Sequence, residues 1–408
     1  MLPNIAKILI NSILIFFLSI TLINSNLVGN FYWQGSSLFG DFNSVINWLE
    51  CNAIGVDLYT KASLICNGKQ VSLFNYGHAI LILPWSQALD IFYRDFLPYI
   101  LIFIFIFLTI KIIKPKGKVE VILLFLCLMN PSTLFAYDRL NMDLFVYILA
   151  ITICFNRIYF INWFLTLFIS FVKIYPATLF INVFLENQKR TLIKICLIVI
   201  LIFLSTMVYF FYFADYIMYF FSNMTSGKAG YHYLFSLNSL PKIFKYIFNI
   251  NYQILLVIFY LLFILFVIKI YRNYSSSLNE KNNEIYSLNS KLFMIGGFLT
   301  LISYMIFSNW LYREIFLILM IPYVLKSRID SKNNIFSFLI YFFIARYFFL
   351  FLYAYLNIHD GITYENSVRI FSFNFLFAIS VKSIFDFIIM GLLASILFQK
   401  TKNYILNL

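Results

Sequence analysis

Apolar runs of about twenty residues recur from one end of this 408-residue chain to the other, each long enough to cross the hydrocarbon core of a bilayer. Hydrophobic residues make up 62% of the chain and charged ones only 12%, whereas soluble domains run near half apolar and about a quarter charged. A soluble domain of this length has nowhere to hide so much apolar surface. The expected fold is all-α: a polytopic transmembrane helical bundle with residues 1–408 as a single integral-membrane domain.

The formal net charge of +13 is informative through its distribution. Basic residues collect in short loops: Lys111, Lys114, Lys116 and Lys118; Lys189, Arg190 and Lys194; Lys269 and Arg272; Lys326, Arg328 and Lys332; Lys400 and Lys402. Cytoplasmic loops carry such an excess, so these loops are assigned inside. No basic stripe interleaved with stacking aromatics lies outside the apolar runs, which argues against a nucleic-acid partner. The first run, residues 5–22, resembles a signal peptide. It lacks a small-residue cleavage site and more apolar runs follow, so an uncleaved first helix is expected.

About twelve helices fit: residues 5–24, 96–113, 118–136, 141–156, 158–172, 174–186, 190–212, 252–271, 291–308, 311–325, 335–356 and 378–399. With basic loops inside, the long segment 25–95 is extracytoplasmic, and so is a second long loop, 214–251. The turns near 137–141, 173–175 and 309–314 and the loop near 357–369 join them. The expected location is the inner (plasma) membrane, multi-pass, with the active face outside. The polar stretch 275–284 reads as a cytoplasmic connector.

Cys127, Cys154 and Cys196 fall inside apolar runs and read as packing residues. Cys51 and Cys66 share the first outer segment, in a compartment that oxidises thiols, and are expected to form a disulfide; two free thiols are the alternative. No Cys-x-x-Cys or His pair accompanies them, so no metal site is expected.

Most unusual polar residues outside the basic loops fall on the outer side. Asp41, in GDF, follows directly on the first helix, where a back-folded loop would hold a carboxylate at the lipid boundary as a general base. An acid in a wet loop is often merely solvated; Glu50 and Asp57 are weaker candidates that read as shaping the loop, Asp57 by ordering a turn. In YDRLNMD, Asp138, Arg139, Asn141 and Asp143 interrupt two apolar runs; charge at membrane depth is costly unless paired, and Arg139 and Asp143 would pair if the following helix starts early. The plain alternative is a polar turn capped by Asn141. Lys173, followed by Tyr175 and Pro176, is a lone cation on the outer side. It either snorkels to the interface or meets an anionic partner. Arg313 and Glu314, beside Tyr312, mark another outer turn, where a local ion pair would contribute little. His232 and His359 are outer-loop histidines, each more readily a hydrogen-bonding residue than a ligand. Arg139, Lys173 and Arg313 suit convergence on one phosphate, with Asp41 facing them. Without a Walker loop, a dinucleotide fingerprint or a clear nucleotide-sugar motif, a lipid-borne phosphate in the outer leaflet fits better than a cytoplasmic nucleotide donor.

Taken together, GDF after the first helix, YDRLNMD, FVKIYP and NWLYREIFLILMIP resemble the GT-C superfamily of integral-membrane glycosyltransferases, nearest to the polyprenyl-phosphate-sugar-dependent mannosyltransferases of glycosyltransferase family 87. The portion from Cys51 to Cys66 is similar to membrane proteins of surface-polysaccharide synthesis. The resemblance implies a catalytic acid in the first outer loop, matched by Asp41, and inverting transfer of a sugar from polyprenyl phosphate to a glycan or lipid acceptor. Substrate-binding positions would be Asp138, Arg139, Asn141, Lys173, Tyr175, Tyr312, Arg313 and His232. The family often carries Glu-Arg-Gly where this chain has Asp138-Arg139-Leu140. No motif in the chain requires a metal, and no cofactor is expected; the partners the resemblance implies are the donor, the acceptor and membrane lipids. A lipid-linked-oligosaccharide flippase or transporter and a surface-polysaccharide polymerase or ligase stay open as alternatives.

Overall fold

The computed structural model describes residues 2–25, 38–58, 64–66, 69–71, 74, 76–156, 158–173, 175–180, 200, 203–209, 211–215, 218, 235–274, 287–305, 311–330, 334–359, 362–365 and 368–406. The fold is helical. In chain order come α1 (Leu2–Asn24), α2 (Gly40–Ala53), a hairpin of β1 (Leu64–Cys66) and β2 (Lys69–Val71), and a short 3-10 helix (His78–Ile82). Helix α3 (Gln87–Ile113), with a π turn at Phe92–Phe96, leads to α4 (Lys118–Met129), α5 (Pro131–Arg139), α6 (Met142–Phe155) and α7 (Tyr159–Val172). A 3-10 turn at Tyr175–Phe180 precedes α8 (Ser239–Phe248), α9 (Tyr252–Tyr274) and α10 (Leu288–Met305). A ten-residue 3-10 helix (Leu311–Met320) runs into α11 (Ile321–Asp330), then α12 (Asn334–His359), a hairpin of β3 (Ile362–Glu365) and β4 (Val368–Phe371), and α13 (Phe373–Leu406).

Among the described residues, six helical segments are long and apolar enough to cross a membrane: Ile5–Asn24, Gln87–Ile113, Tyr252–Asn273, Leu288–Met305, Asn334–Leu356 and Phe373–Asn403. A seventh is gained if α4 and α5 form one broken span, and the expected count of about twelve is not reached. The segment expected as one helix over 118–136 bends by 40° at Asn130–Pro131. Proline disfavours helical backbone in the residue before it, and Asn130 is extended (φ −69°, ψ 156°) while its side chain caps the Thr133 amide at 3.0 Å. Helices α6 and α7 have 14 residues each, about 21 Å of rise against a core of about 30 Å. The stretch expected over 311–325 divides into a 3-10 helix and α11. Of the stretches expected over 174–186 and 190–212, residues 181–199 lie outside the described residues.

The segment 25–95 carries its own structure. Cys51 at the end of α2 and Cys66 in β1 form the expected disulfide, with Cα atoms 5.8 Å apart. The helix expected from residue 96 begins earlier, at Gln87, where the Ser86 hydroxyl caps the Leu89 amide at 3.3 Å. Arg94 in its first turns reaches Asp90 and the Asn47 side chain of α2, both at 2.9 Å, and approaches Glu50 at 3.9 Å. Glu50 is thus buried beside a cation on the inner side of α2, while Asp57 is exposed.

One close approach fastens this segment to the bundle, and an aromatic cluster within the segment supports it. The Gly77 amide donates to the Val172 carbonyl at 2.8 Å, and a Cβ on Gly77 would sit 1.8 Å from the Phe171 carbonyl oxygen, so only glycine fits there. Trp48 of α2 packs on Phe74 and Tyr76, with ring centroids 5.1 and 5.4 Å apart. Together they seat Tyr76 at the end of α7.

Candidate active site

The two helix ends that frame the site are each stopped by a left-handed residue. Leu140 (φ 41°) closes α5 and lets the chain turn at once into α6, so Arg139 ends one helix and Asn141 caps the next, its side chain accepting from the Asp143 amide at 3.1 Å. Phe39 (φ 58°) precedes α2, and its amide donates to the Asp138 carbonyl at 2.6 Å. That bond lays the first turn of α2 against the end of α5. Non-glycine residues pay about 1–2 kcal/mol for this backbone region, so the surrounding contacts must hold both turns.

The docking brings Asp41 to Arg139, 98 residues away in sequence. Asp41 Oδ1 accepts from Arg139 Nε at 2.9 Å and Nη2 at 2.5 Å, and Oδ2 accepts from Asn141 Nδ2 at 2.6 Å. The guanidinium lies so close to the α2 backbone that a Cβ on Gly40 would stand 2.8 Å from Arg139 Nη1. A carboxylate offers about four acceptor positions, and three are used among the described residues. One position on Oδ2 has no donor among the described residues. The Asp41, Arg139 and Arg313 side chains are 22%, 24% and 20% exposed, which makes these three the accessible part of the cluster.

Below it lies a second carboxylate, Asp143, fully buried. Lys173 Nζ and Tyr175 Oη both donate to its Oδ1 at 2.5 Å, and Arg313 Nε donates to Oδ2 at 3.3 Å. Lys173 also donates to Asn141 Oδ1 at 2.9 Å, so Asn141 links the two carboxylate centres with its two ends. The Arg313 guanidinium stands 4.7 Å from the Tyr175 ring centre, and Lys173 stands 5.0 Å from that of Tyr76. Burial, with the charges of Asp41 and Asp143, holds the Tyr76 phenol well above its ordinary pKa and keeps it neutral. Three cations (Arg139, Lys173, Arg313) stand against two carboxylates (Asp41, Asp143), and Asp138, buried beside Arg139 and Asp41, brings the formal sum to zero when ionised.

The structure therefore gathers Asp41, Arg139, Asn141, Lys173, Tyr175 and Arg313 in one place. It corrects the pairing within the YDRLNMD stretch: Arg139 ends α5 and turns to Asp41, while Asp143 in α6 takes Lys173 and Arg313. The three cations also meet carboxylates, rather than standing as bare phosphate ligands. Asp138 is buried beside them, its Oδ2 without a donor among the described residues. Tyr312 belongs to the 3-10 helix, but its side chain and the whole of His232 lie outside the described residues. Cys127 and Cys154 are buried and outside any disulfide, as expected of packing residues, and Cys196 lies outside the described residues. No group of three or more His, Cys, Asp or Glu residues suited to a metal ion occurs among the described residues.

Sequence reasoning missed the hub role of Asp143 and the part played by Tyr76. It also missed a second charged group. Arg346 of α12 bonds Glu314 and Asp386, the latter at 2.5 Å. Lys382 of α13 meets Glu314 at 3.1 Å and Asp386 at 2.7 Å, and the Ser132 hydroxyl of α5 donates to Glu314 Oε2 at 2.9 Å. The available signal was an arginine, a lysine and an aspartate inside apolar runs, where ionisable residues are rare and paired. Neighbouring Arg313 and Glu314 thus serve different clusters, and the surface ion pair anticipated between them is replaced by these partners. No protein-family model matches the chain, and no curated protein matches its sequence.

Proposed function

We propose that the chain is a glycosyltransferase that moves a sugar from a polyprenyl-phosphate donor to a glycan or lipid acceptor at the extracytoplasmic face of the inner membrane. The observation that supports this most is the partly exposed Asp41 carboxylate, oriented by Arg139 and Asn141 beside Lys173 and Arg313. In this reading the open position on Asp41 Oδ2 takes the proton of an acceptor hydroxyl. The acceptor oxygen bonds to the anomeric carbon as the bond from that carbon to the phosphate oxygen breaks, with inversion. The electron pair leaves on polyprenyl phosphate, and the nearby Lys173 and Arg313 cations offset the charge that develops there.

A second reading, a lipid-linked-oligosaccharide transporter, draws on the Glu314–Arg346–Lys382–Asp386 group, since charges inside apolar helices often mark transport pathways. Proteoliposomes holding the purified protein and a radiolabelled polyprenyl-phosphate sugar separate the two. The proposal expects label to pass covalently to an added acceptor. Label that changes leaflet without a covalent product favours the transporter. Transfer only from a polyprenyl-diphosphate oligosaccharide identifies a polymerase or ligase.

A further inference from the structure

The 3-10 helix Leu311–Met320 is unusual in its length, because 3-10 geometry is poor and runs beyond three or four residues are uncommon. Something outside the helix must hold it. Residues 315–320 are all buried and pack as apolar core, but the first turn carries Arg313 and Glu314, both charged. Successive residues on a 3-10 helix point about 120° apart. One direction delivers Arg313 to Asp143; the other sends Glu314 into the bundle, where α5, α12 and α13 each contribute a partner.

Those partners form a closed arrangement. Arg346 and Lys382 each touch both Glu314 and Asp386, so two cations and two carboxylates sum to zero, and all four side chains are at most 3% exposed. A neutral, buried quartet attracts no ion, so a second anion site is not what it offers. Its geometry does fix one point of the 3-10 helix against three other helices. With Glu314 pinned, rotation or slippage of this turn is blocked, and Arg313 is held where it completes the Asp143 cluster.

We infer that Arg346, Lys382 and Asp386 are positioning residues, which set the place of Arg313 by anchoring Glu314 next to it. The inference rests on the donor-site reading only where ligand binding is the readout. It predicts a coupling between a charge group deep among α12 and α13 and a cation in the site, transmitted through one peptide unit.

The test uses the full chain in lipid nanodiscs and two readouts: amide hydrogen exchange over residues 311–320, and binding of an isoprenyl phosphate. Glu314→Gln leaves the quartet with an extra positive charge and loosens the anchor. Exchange over 311–320 is expected to rise about tenfold or more, with isoprenyl-phosphate affinity falling by about the same factor, while α1 and α4 exchange as before. Glu314→Gln/Lys382→Met removes the extra charge together with a second anchoring contact, so both values should stay as altered as in the single variant. Should Glu314→Gln not fold, Arg346→Lys serves instead: a single ammonium lacks the fork that spans both carboxylates, so exchange over 311–320 should rise by a smaller factor. Unchanged exchange in the single variant, recovery in the double, which would point to a stranded charge alone, or a rise spread over the whole bundle would each overturn the inference. If the wild type binds no isoprenyl phosphate, the donor-site reading fails, and the exchange measurement still decides the positioning role.

Discussion

Asp41→Asn is expected to lower sugar transfer by about 10²–10⁴-fold, the usual contribution of a positioned general base. The substitution keeps size and a carbonyl oxygen able to accept from Arg139, but its amide cannot take the acceptor's proton. Folding should survive. The Asp41–Arg139 pair is about a quarter exposed on both sides, and pairs of that kind contribute about 1 kcal/mol or less. The variant should therefore elute as the wild type does, with closely similar thermal stability. Asp57→Asn, at an exposed acid of the same segment, should transfer normally. Normal transfer by Asp41→Asn would remove the proposed base and leave Asp41 as a structural partner of Arg139.

Asp143→Asn should behave in the opposite way, acting first on stability. Asp143 is buried and receives Lys173, Tyr175 and Arg313, and the Lys173 side chain is only 12% exposed. Removing the carboxylate leaves the Lys173 ammonium and the Arg313 guanidinium without the anion they share, and breaking a buried pair costs about 3–5 kcal/mol. Stability totals of about 5–15 kcal/mol leave little margin for that, so low yield and a clear drop in melting temperature are expected. Asp143→Asn/Lys173→Met should regain part of the loss, because the more buried of the two stranded charges is gone. A single variant as stable as the wild type would show that Lys173 finds compensation elsewhere, and Asp143 would lose its place as the hub.

The parts of the site legible in the sequence were those where polar residues break an apolar run. DRLN and KIYP stood out because charge is scarce around them, and the residues they contain do meet. Their pairing was not legible. Arg139 and Asp143 are four apart and looked like helix neighbours, but Leu140 takes a left-handed turn between them and separates their partners. The contact that matters, Asp41 with Arg139, depends on Phe39 and Gly40 laying α2 against α5, which no local pattern encodes. Helices were legible where the runs were long, as in α9 and α12. They were not where proline at 131 or a 3-10 turn at 311 cut an apolar stretch that reads as continuous. Arg346, Lys382 and Asp386 stayed hidden because a twenty-residue hydropathy average absorbs one or two charges.

The most direct measurement is a cryo-electron-microscopy map of the protein in nanodiscs with a bound polyprenyl-phosphate sugar, supported by competition with free polyprenyl phosphate. The account predicts the phosphate within about 3 Å of Lys173 Nζ and the Arg313 guanidinium, with the anomeric carbon turned toward Asp41. It also predicts that Arg313→Gln weakens competition. A phosphate seated away from both cations, or an affinity that Arg313→Gln and Lys173→Met leave untouched, would contradict it.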